Sequence, residues 1–312
     1  LIAIMRKEPS PDNSRIYTTE LKKFTSRSRA NMFSSLDYHL LSQPFVEDYI
    51  PKVSNKEQEN LMKTIESNAC KNLDKTQSIE FQSISLDDII NQTKLQLIDK
   101  EAAPKEPAKI YRNSVFVGGV AYNYLNVMIS DQRNKYLVDD YISKCESAVS
   151  LTNSKLHSIE TNEKETMALF AIFSSHCAFQ FWSTSGDGFH VNRSFIRKVS
   201  LLLNLLKTKE LDSLNDLGKQ LWDAIGRESV ISVNRSKVSL SFRPHREFAL
   251  RKSIDEIILS SMGFQKDEIV ELLESFMKTQ YNRVVVDLND SSRRKYSFDG
   301  SLININQSEV VL

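Results

Sequence analysis

The chain has 312 residues, a formal net charge of +1, 40% hydrophobic residues and 26% charged ones. That length supports one large or two modest domains around a buried core, and the near-zero charge excludes a protein that coats nucleic acid indiscriminately. No apolar run is long enough for a membrane span, since the longest, Met167 to Trp182, is interrupted by Ser174, Ser175, His176 and Gln180.

No secretory signal pattern opens the chain. The three cysteines, Cys70, Cys145 and Cys177, form no CxxC and read as plain buried thiols of a reducing, cytoplasmic compartment. In chain order, LIAIM reads as a strand opening on Leu1, which suggests a fragment or a processed chain. A polar turn (EPSPDNS) and a short IYTT strand follow, then a loop-rich connection to Pro51. KEQENLMKTIES is an amphipathic helix, and SLDDIINQTKLQLIDK a second one capped by Ser85. KEAAPKEPAK (100–109) has the composition of a linker and marks a boundary. SVFVGGVAYNYLNVMI reads as two strands around Gly118 and Gly119, and RNKYLVDDYISKCESAV as a helix.

TNEKETMALFAIFSSHCAFQFW predicts one long helix, apolar nearly all round, with Thr161 or Asn162 as cap. The glycine turn STSGDG ends it. FIRKVSLLLNLL and ELDSLNDLGKQLWDAIGR are amphipathic helices, and VISVNRSKVSLSF alternates as a half-buried strand or hairpin. HREFALRKSIDEIILSSMG is a helix stopped by Gly263, KDEIVELLESFMKTQ another, and RVVVDL a late strand; from about Ser291 the chain is polar and expected to fray. The fold class expected is α+β, mixed helices with short β-sheets.

Two regions are locally basic. Arg15, Lys22, Lys23, Arg27 and Arg29 stand against Glu20 alone, and Arg227, Arg235, Lys237, Arg243, Arg246, Arg251 and Lys252 against Glu228 and Glu247. Such faces suit a polyanion, or are simply solvated. Neither VFVGGV nor SGDGFHV has the glycine spacing of a dinucleotide loop. Asp12, Glu20 and Lys22 have the order of a nuclease metal site, but Asp12 falls in a polar turn. No zinc spacing and no nucleophile elbow occurs. His157, His176 and His245 lack partner acids at triad-like positions, so the sequence carries no catalytic set.

Three stretches together carry a resemblance: MALFAIFSSHCAFQFWSTSGDGFHV; LNDLGKQLWDAI with REFALRKSIDEIILSSMGFQKDEIVELLESF; and LIAIM, RIYTTELKKF and RANMFSSLDYHLL. They resemble adenine-N6 DNA methyltransferases of restriction-modification systems, whose target-recognition part is C-terminal as in TaqI-type enzymes. VFVGGVAYNYLNV suits the start of that recognition region. The family's catalytic N-P-P-Y is absent, since no two of Pro9, Pro11, Pro44, Pro51, Pro104, Pro107 and Pro244 adjoin.

The resemblance implies a helical linker segment plus a target-recognition domain. Residues 1–55 would close a methyltransferase-type domain, 56–108 form a helical segment and linker, 109–290 bind DNA, and 291–312 form a polar tail. It implies double-stranded DNA as partner and a catalytic domain, in cis or on a separate chain, that holds S-adenosylmethionine; this chain would hold no cofactor or metal. Cleavage activity of the parent protein stays open.

The DNA-binding candidates are Gly186, Asp187, Gly188, His190 and Arg193 in the glycine turn, and Arg235, Lys237, Arg243, His245 and Arg246 in the basic strand region. The glycines would permit close approach to a phosphate. Asp187 would accept from a cytosine amino group or orient His190 or Arg193; alternatively it caps the next helix while Phe189 fills core. Two other readings are a non-catalytic interaction scaffold and a Mg²⁺-dependent nuclease using Asp12, Glu20 and Lys22.

Overall fold

The structure, a computed structural model, describes residues 4–6, 15–21, 36–42, 49–72, 81–85, 89, 113–121, 124–129, 139, 142–143, 150–151, 155–227, 229–234, 236–287, 294–296 and 302–304. The chain is α+β: seven α-helices and twelve short strands are present among the described residues. Strands β1 (Ile4–Arg6), β2 (Arg15–Thr18) and β3 (His39–Leu40) form an antiparallel sheet in that order. Helix α1 (Lys56–Asn72) follows, with Glu57 and Glu59 in its first turn and Lys71 in its last, each complementing the helix dipole.

Strands β4 (Phe81–Ile84), β5 (Ser114–Gly118) and β6 (Val127–Ile129) join β8 (Leu156–Glu160) in a four-stranded antiparallel sheet of order β4-β8-β5-β6. Sequence on both sides of residues 100–109, which lie outside the described residues, therefore enters one sheet. All five residues of β5 are buried, so the strand is covered on both faces.

The long apolar stretch folds as two helices, α2 (Thr166–Ser174) and α3 (His176–Ser185), where one was expected. Ser175 is extended (φ −69°, ψ 160°), and its hydroxyl accepts from the Ala178 N–H at 3.0 Å as the cap of α3. A break inside the core exposes backbone groups to an apolar medium, and these need partners. Helix α6 (Phe248–Ser261) supplies them. Arg251 Nε donates to the Ser174 carbonyl at 2.8 Å, and the Asp255 carboxylate accepts from the Cys177 N–H at 2.9 Å and the His176 N–H at 3.3 Å.

Helix α4 (Arg193–Ser200) runs into a 3-10 turn over Leu201–Leu205, and α5 (Thr208–Arg227) lies along α2. Strands β9 (Val230–Asn234) and β10 (Lys237–Ser241) form the expected hairpin, with β7 (Ser150–Leu151) added parallel to β10. Gly263, at φ +92°, stops α6 as expected.

Helix α7 (Lys266–Asp287) continues through RVVVD, which the sequence reading assigned to a strand. Each β-branched residue disfavours helix by only about half a kcal/mol, too little to stop a helix already nucleated and packed upstream. The tail beyond Ser291 holds an antiparallel pair, β11 (Arg294–Tyr296) and β12 (Leu302–Asn304), where fraying was expected. Residues 297–301 between them lie outside the described residues. The helix expected over RNKYLVDDYISKCESAV lies largely outside the described residues.

One hydrophobic cluster joins α1, the four-stranded sheet and α2 to α7. Within it α2 is ringed by α5, α3, α6, β5 and β6, which explains an apolar character with no polar face. Gly218 of α5 meets the Met167 backbone so closely that a Cβ there would overlap the Met167 carbonyl. Alanine in a helix interior gains about 1 kcal/mol over glycine, whereas prising apart two packed helices costs about 1–3 kcal/mol. Gly218→Ala is therefore expected to lower stability in urea unfolding; a stabilised variant would show that the two helices separate freely.

Candidate functional site

The turn after α3 is held from every side. Asp187 Oδ1 accepts from the backbone N–H groups of Phe189 (2.8 Å) and His190 (2.7 Å), and its Oδ2 lies 2.6 Å from His190 Nδ1. Burial pushes this carboxyl up, but the bonds from the His190 side chain and from the two backbone N–H groups, with the His190 charge, together outweigh it and bring the pKa to about 2. Asp187 thus orients His190, one of the roles expected for it, and both its oxygens already have partners. It does not cap the next helix: Asn192 does, its side chain accepting from the Phe195 N–H at 2.8 Å. Nor does Phe189 fill core, since it is exposed.

Gly188 sits at φ +85°, a region L side chains rarely adopt, and a Cβ there would collide with Leu21. The glycine therefore serves the tightness of the turn as well as any approach from outside.

Behind the turn stands Lys52, buried, whose Nζ donates to the Gly186 carbonyl and lies 3.5 Å from the Thr184 carbonyl. Burial lowers the Lys52 pKa, and the Asp187 charge opposes that shift. A cation on the last carbonyls of α3 complements the negative end of the helix dipole. Trp182 Nε1 donates to the His190 carbonyl at 2.9 Å.

The turn is also tied to the first glycine pair of the sequence. The Val191 N–H donates to the Gly119 carbonyl at 3.0 Å, and the Ala121 N–H to the Phe189 carbonyl at 2.8 Å, making a short antiparallel bridge of Val120 with His190. Gly119 donates to the Lys155 carbonyl at 3.0 Å, where any Cβ would crowd that oxygen. His157 Nε2, 2.8 Å from the Val191 carbonyl, braces the same point. Burial lowers its pKa, the bond to Val191 raises it, and the Arg193 charge lowers it again.

The basic strand region reaches the same corner. Asn126, whose carbonyl accepts from the Gly118 N–H at 2.8 Å, places its side-chain oxygen 3.1 Å from the Phe242 N–H and its amide nitrogen 3.4 Å from the Leu240 carbonyl. Val191 is thus fastened to Gly119 and Phe242 to Asn126, which is itself bonded to Gly118, so the glycine turn and the end of β10 are linked through one peptide step and three hydrogen bonds. Along β10, Val238, Leu240 and Phe242 are buried while Lys237, Ser239, Ser241 and Arg243 alternate with them on the outer face.

Among the ten candidates, Gly186, Asp187, Gly188, His190 and Arg193 are contiguous in space, and Arg193 opens α4 in the open. Lys237 is exposed at the far end of β10, with Nζ 2.9 Å from Ser150 Oγ. Arg243 and Arg246 are half-buried around the 3-10 turn Pro244–Arg246. Arg235 and the His245 side chain lie outside the described residues. So do Asp12 and Lys22 of the nuclease-like order, whereas Glu20 Oε2 accepts from Gln58 Nε2 at 3.4 Å.

Sequence reasoning missed Lys52 and Asn126, whose partners lie 134 and 116 residues away and leave no local signal, and Trp182, bonded eight residues along the chain. It also missed the acid paired with His176: Asp255 Oδ2 is 2.6 Å from His176 Nδ1 inside the core. Of the described cysteines, Cys177 is buried as expected, its thiol pushed well up by burial and then by the Asp255 charge, whereas Cys70 is exposed on α1.

No group of three or more His, Cys, Asp or Glu side chains is arranged to hold a metal ion among the described residues. No helix among them is long and apolar enough to cross a membrane. Compared with protein-family models, curated proteins and solved structures, the chain matches none.

Proposed function

We propose that this chain is the target-recognition part of an adenine-N6 DNA methyltransferase of the restriction-modification kind, binding duplex DNA while a catalytic domain, in cis or on another chain, holds S-adenosylmethionine and extrudes the adenine. The observation that supports this reading is the joint anchoring of the glycine turn and the end of β10 on residues 118–126. Two stretches more than 40 residues apart in sequence, each a DNA candidate in its own right, are fastened there, with Arg193 two residues beyond Val191 and Arg243 next to Phe242.

A site of this kind works by division of labour. Guanidinium groups hold phosphates and set register, and a rigid turn meets the base edges. The bracing of the turn by Asp187, Lys52, Trp182 and Gly119 means that little ordering entropy is lost when it docks.

The test is a gel shift with the chain and duplex DNA between 50 and 200 mM salt. Binding is expected to weaken steeply with salt, at about one unit of log–log slope per neutralised phosphate. Arg193→Ala with Arg243→Ala should reduce the slope by about two. Absence of salt-dependent binding to any duplex, even beside the catalytic domain, would overturn the proposal.

A further inference from the structure

The contacts of Asp187 fix the chemistry that His190 shows to the outside. Oδ1 of Asp187 accepts from the Phe189 and His190 N–H groups, and Oδ2 lies 2.6 Å from His190 Nδ1. With its pKa brought to about 2, Asp187 is ionised at neutral pH, and an ionised carboxylate can only accept. Nδ1 therefore carries the proton between them. In the neutral imidazole the second nitrogen, Nε2, is then a pure acceptor. The ring is held in place as well: the His190 carbonyl accepts from Trp182 Nε1 at 2.9 Å, His190 bridges to Val120, and the Phe189 ring meets it edge to face with centroids 4.8 Å apart. The side chain is still 65% exposed, so an acceptor of fixed tautomer is open to the outside.

An acceptor backed by a full negative charge is unsuited to a phosphate. Duplex DNA is covered with acceptors, the phosphate oxygens and the ring nitrogens and carbonyl oxygens of the base edges. Its outward donors are the exocyclic amino groups: adenine N6 and cytosine N4 in the major groove, guanine N2 in the minor groove. We infer that His190 Nε2 accepts a hydrogen bond from the exocyclic amino group of a base and so determines sequence specificity. This rests on the DNA-reading assignment above. It transfers to His190 the contact that the sequence alone suggested for Asp187, whose two oxygens are already engaged. Asp187 is then a positioning residue, since it decides which ring nitrogen bears the proton.

The experiment takes the duplex that the 312-residue chain selects from a randomised pool and measures binding at about pH 8, where free imidazole is neutral. Amino groups are then removed one base at a time: purine for adenine, pyrimidin-2-one for cytosine, hypoxanthine for guanine. At one position the loss should be about tenfold, and the base concerned names the source of the amino group. His190→Asn keeps a side-chain N–H for Asp187 but lacks the second ring nitrogen. It should shrink that loss to about twofold or less and leave the other positions unchanged. Asp187→Asn is the sharper variant. Its amide nitrogen donates to Nδ1, so the ring proton moves to Nε2 and the acceptor becomes a donor, a wrong tautomer in an intact geometry. That variant should lose the preference for an amino group at the same position and favour a base presenting an acceptor there, although His190 itself is unaltered.

No position sensitive to amino removal, an unchanged loss in both variants, or selection of no sequence at all would overturn the role given to His190. The DNA-reading assignment would then still stand on salt-dependent binding. A His190→Asn variant that weakens every duplex alike and lowers the salt slope by about one would also overturn it, since that is the signature of a phosphate contact. Salt-dependent binding to no duplex would overturn both.

Discussion

Asp255→Ala is expected to lower stability by about 3–5 kcal/mol at neutral pH, a large part of the total for an ordinary domain. Asp255 is fully buried and takes three donors at the break between α2 and α3: the backbone N–H groups of His176 and Cys177, and His176 Nδ1. Arg251, one turn earlier on α6, is 1% exposed and spends its Nε on the Ser174 carbonyl. Burial lowers the Arg251 pKa to about 10 against the raising effect of the Asp255 charge, so the guanidinium stays ionised at neutral pH.

Removing the carboxylate takes the Asp255 charge away from the buried Arg251 and leaves three buried N–H groups without that acceptor. Each unsatisfied donor costs about 1–3 kcal/mol by itself, so the loss should exceed that of an ordinary buried hydrogen bond. The measurement is the urea midpoint of the variant at pH 7. A single variant within about 0.5 kcal/mol of the parent would show that the break holds without Asp255.

Acid should weaken the fold in two stages. Burial, then the Arg251 charge, lowers the His176 pKa to about 4, while Asp255 pulls it back up by charge and hydrogen bond. The folded state therefore keeps His176 neutral, its Nδ1–H donating to Asp255, whereas the unfolded chain takes up a proton near pH 6.5. Below that value the unfolded state binds more protons, so stability is fully present above pH 6.5 and lost as pH falls toward 4. The loss amounts to roughly 3 kcal/mol. His176→Gln should flatten this limb.

The second stage belongs to Glu59 on α1. Burial pushes its carboxyl up, but hydrogen bonds from Lys63, Ser42 and His39 prevail and hold it at about 2. Its contribution is present above the ordinary carboxylate range and disappears as pH falls from about 4.5 toward 2. Urea unfolding at pH 7, 5.5 and 4 checks the first stage. A flat response down to pH 4 would mean that the imidazole reaches water.

How far the sequence could be read follows from the range of the interactions involved. The helices with a one-sided apolar stripe, α1, α5 and α6, and the alternating β9–β10 hairpin were legible because burial imposes a period that residues alone display. Ser174, Ser175 and His176 were visible as interruptions of an apolar run, yet their meaning was not. Whether such polar residues bend, break or merely line a helix depends on what faces them, and here that is Arg251 and Asp255 from 75 or more residues away. The reading of RVVVDL failed for the related reason that a weak local preference yields to the helix before it.

The amino-acid order alone settled that the chain has a sizeable apolar core, mixed α and β elements, and a glycine turn after an apolar helix, since composition and periodicity are local properties. Only the folded arrangement decided that Asp187 is occupied with His190, that Lys52 and Gly119 brace the turn, and that this turn meets the end of β10. Hydrogen-bond partners are chosen by which surfaces come together when the core closes, and no local pattern encodes that choice.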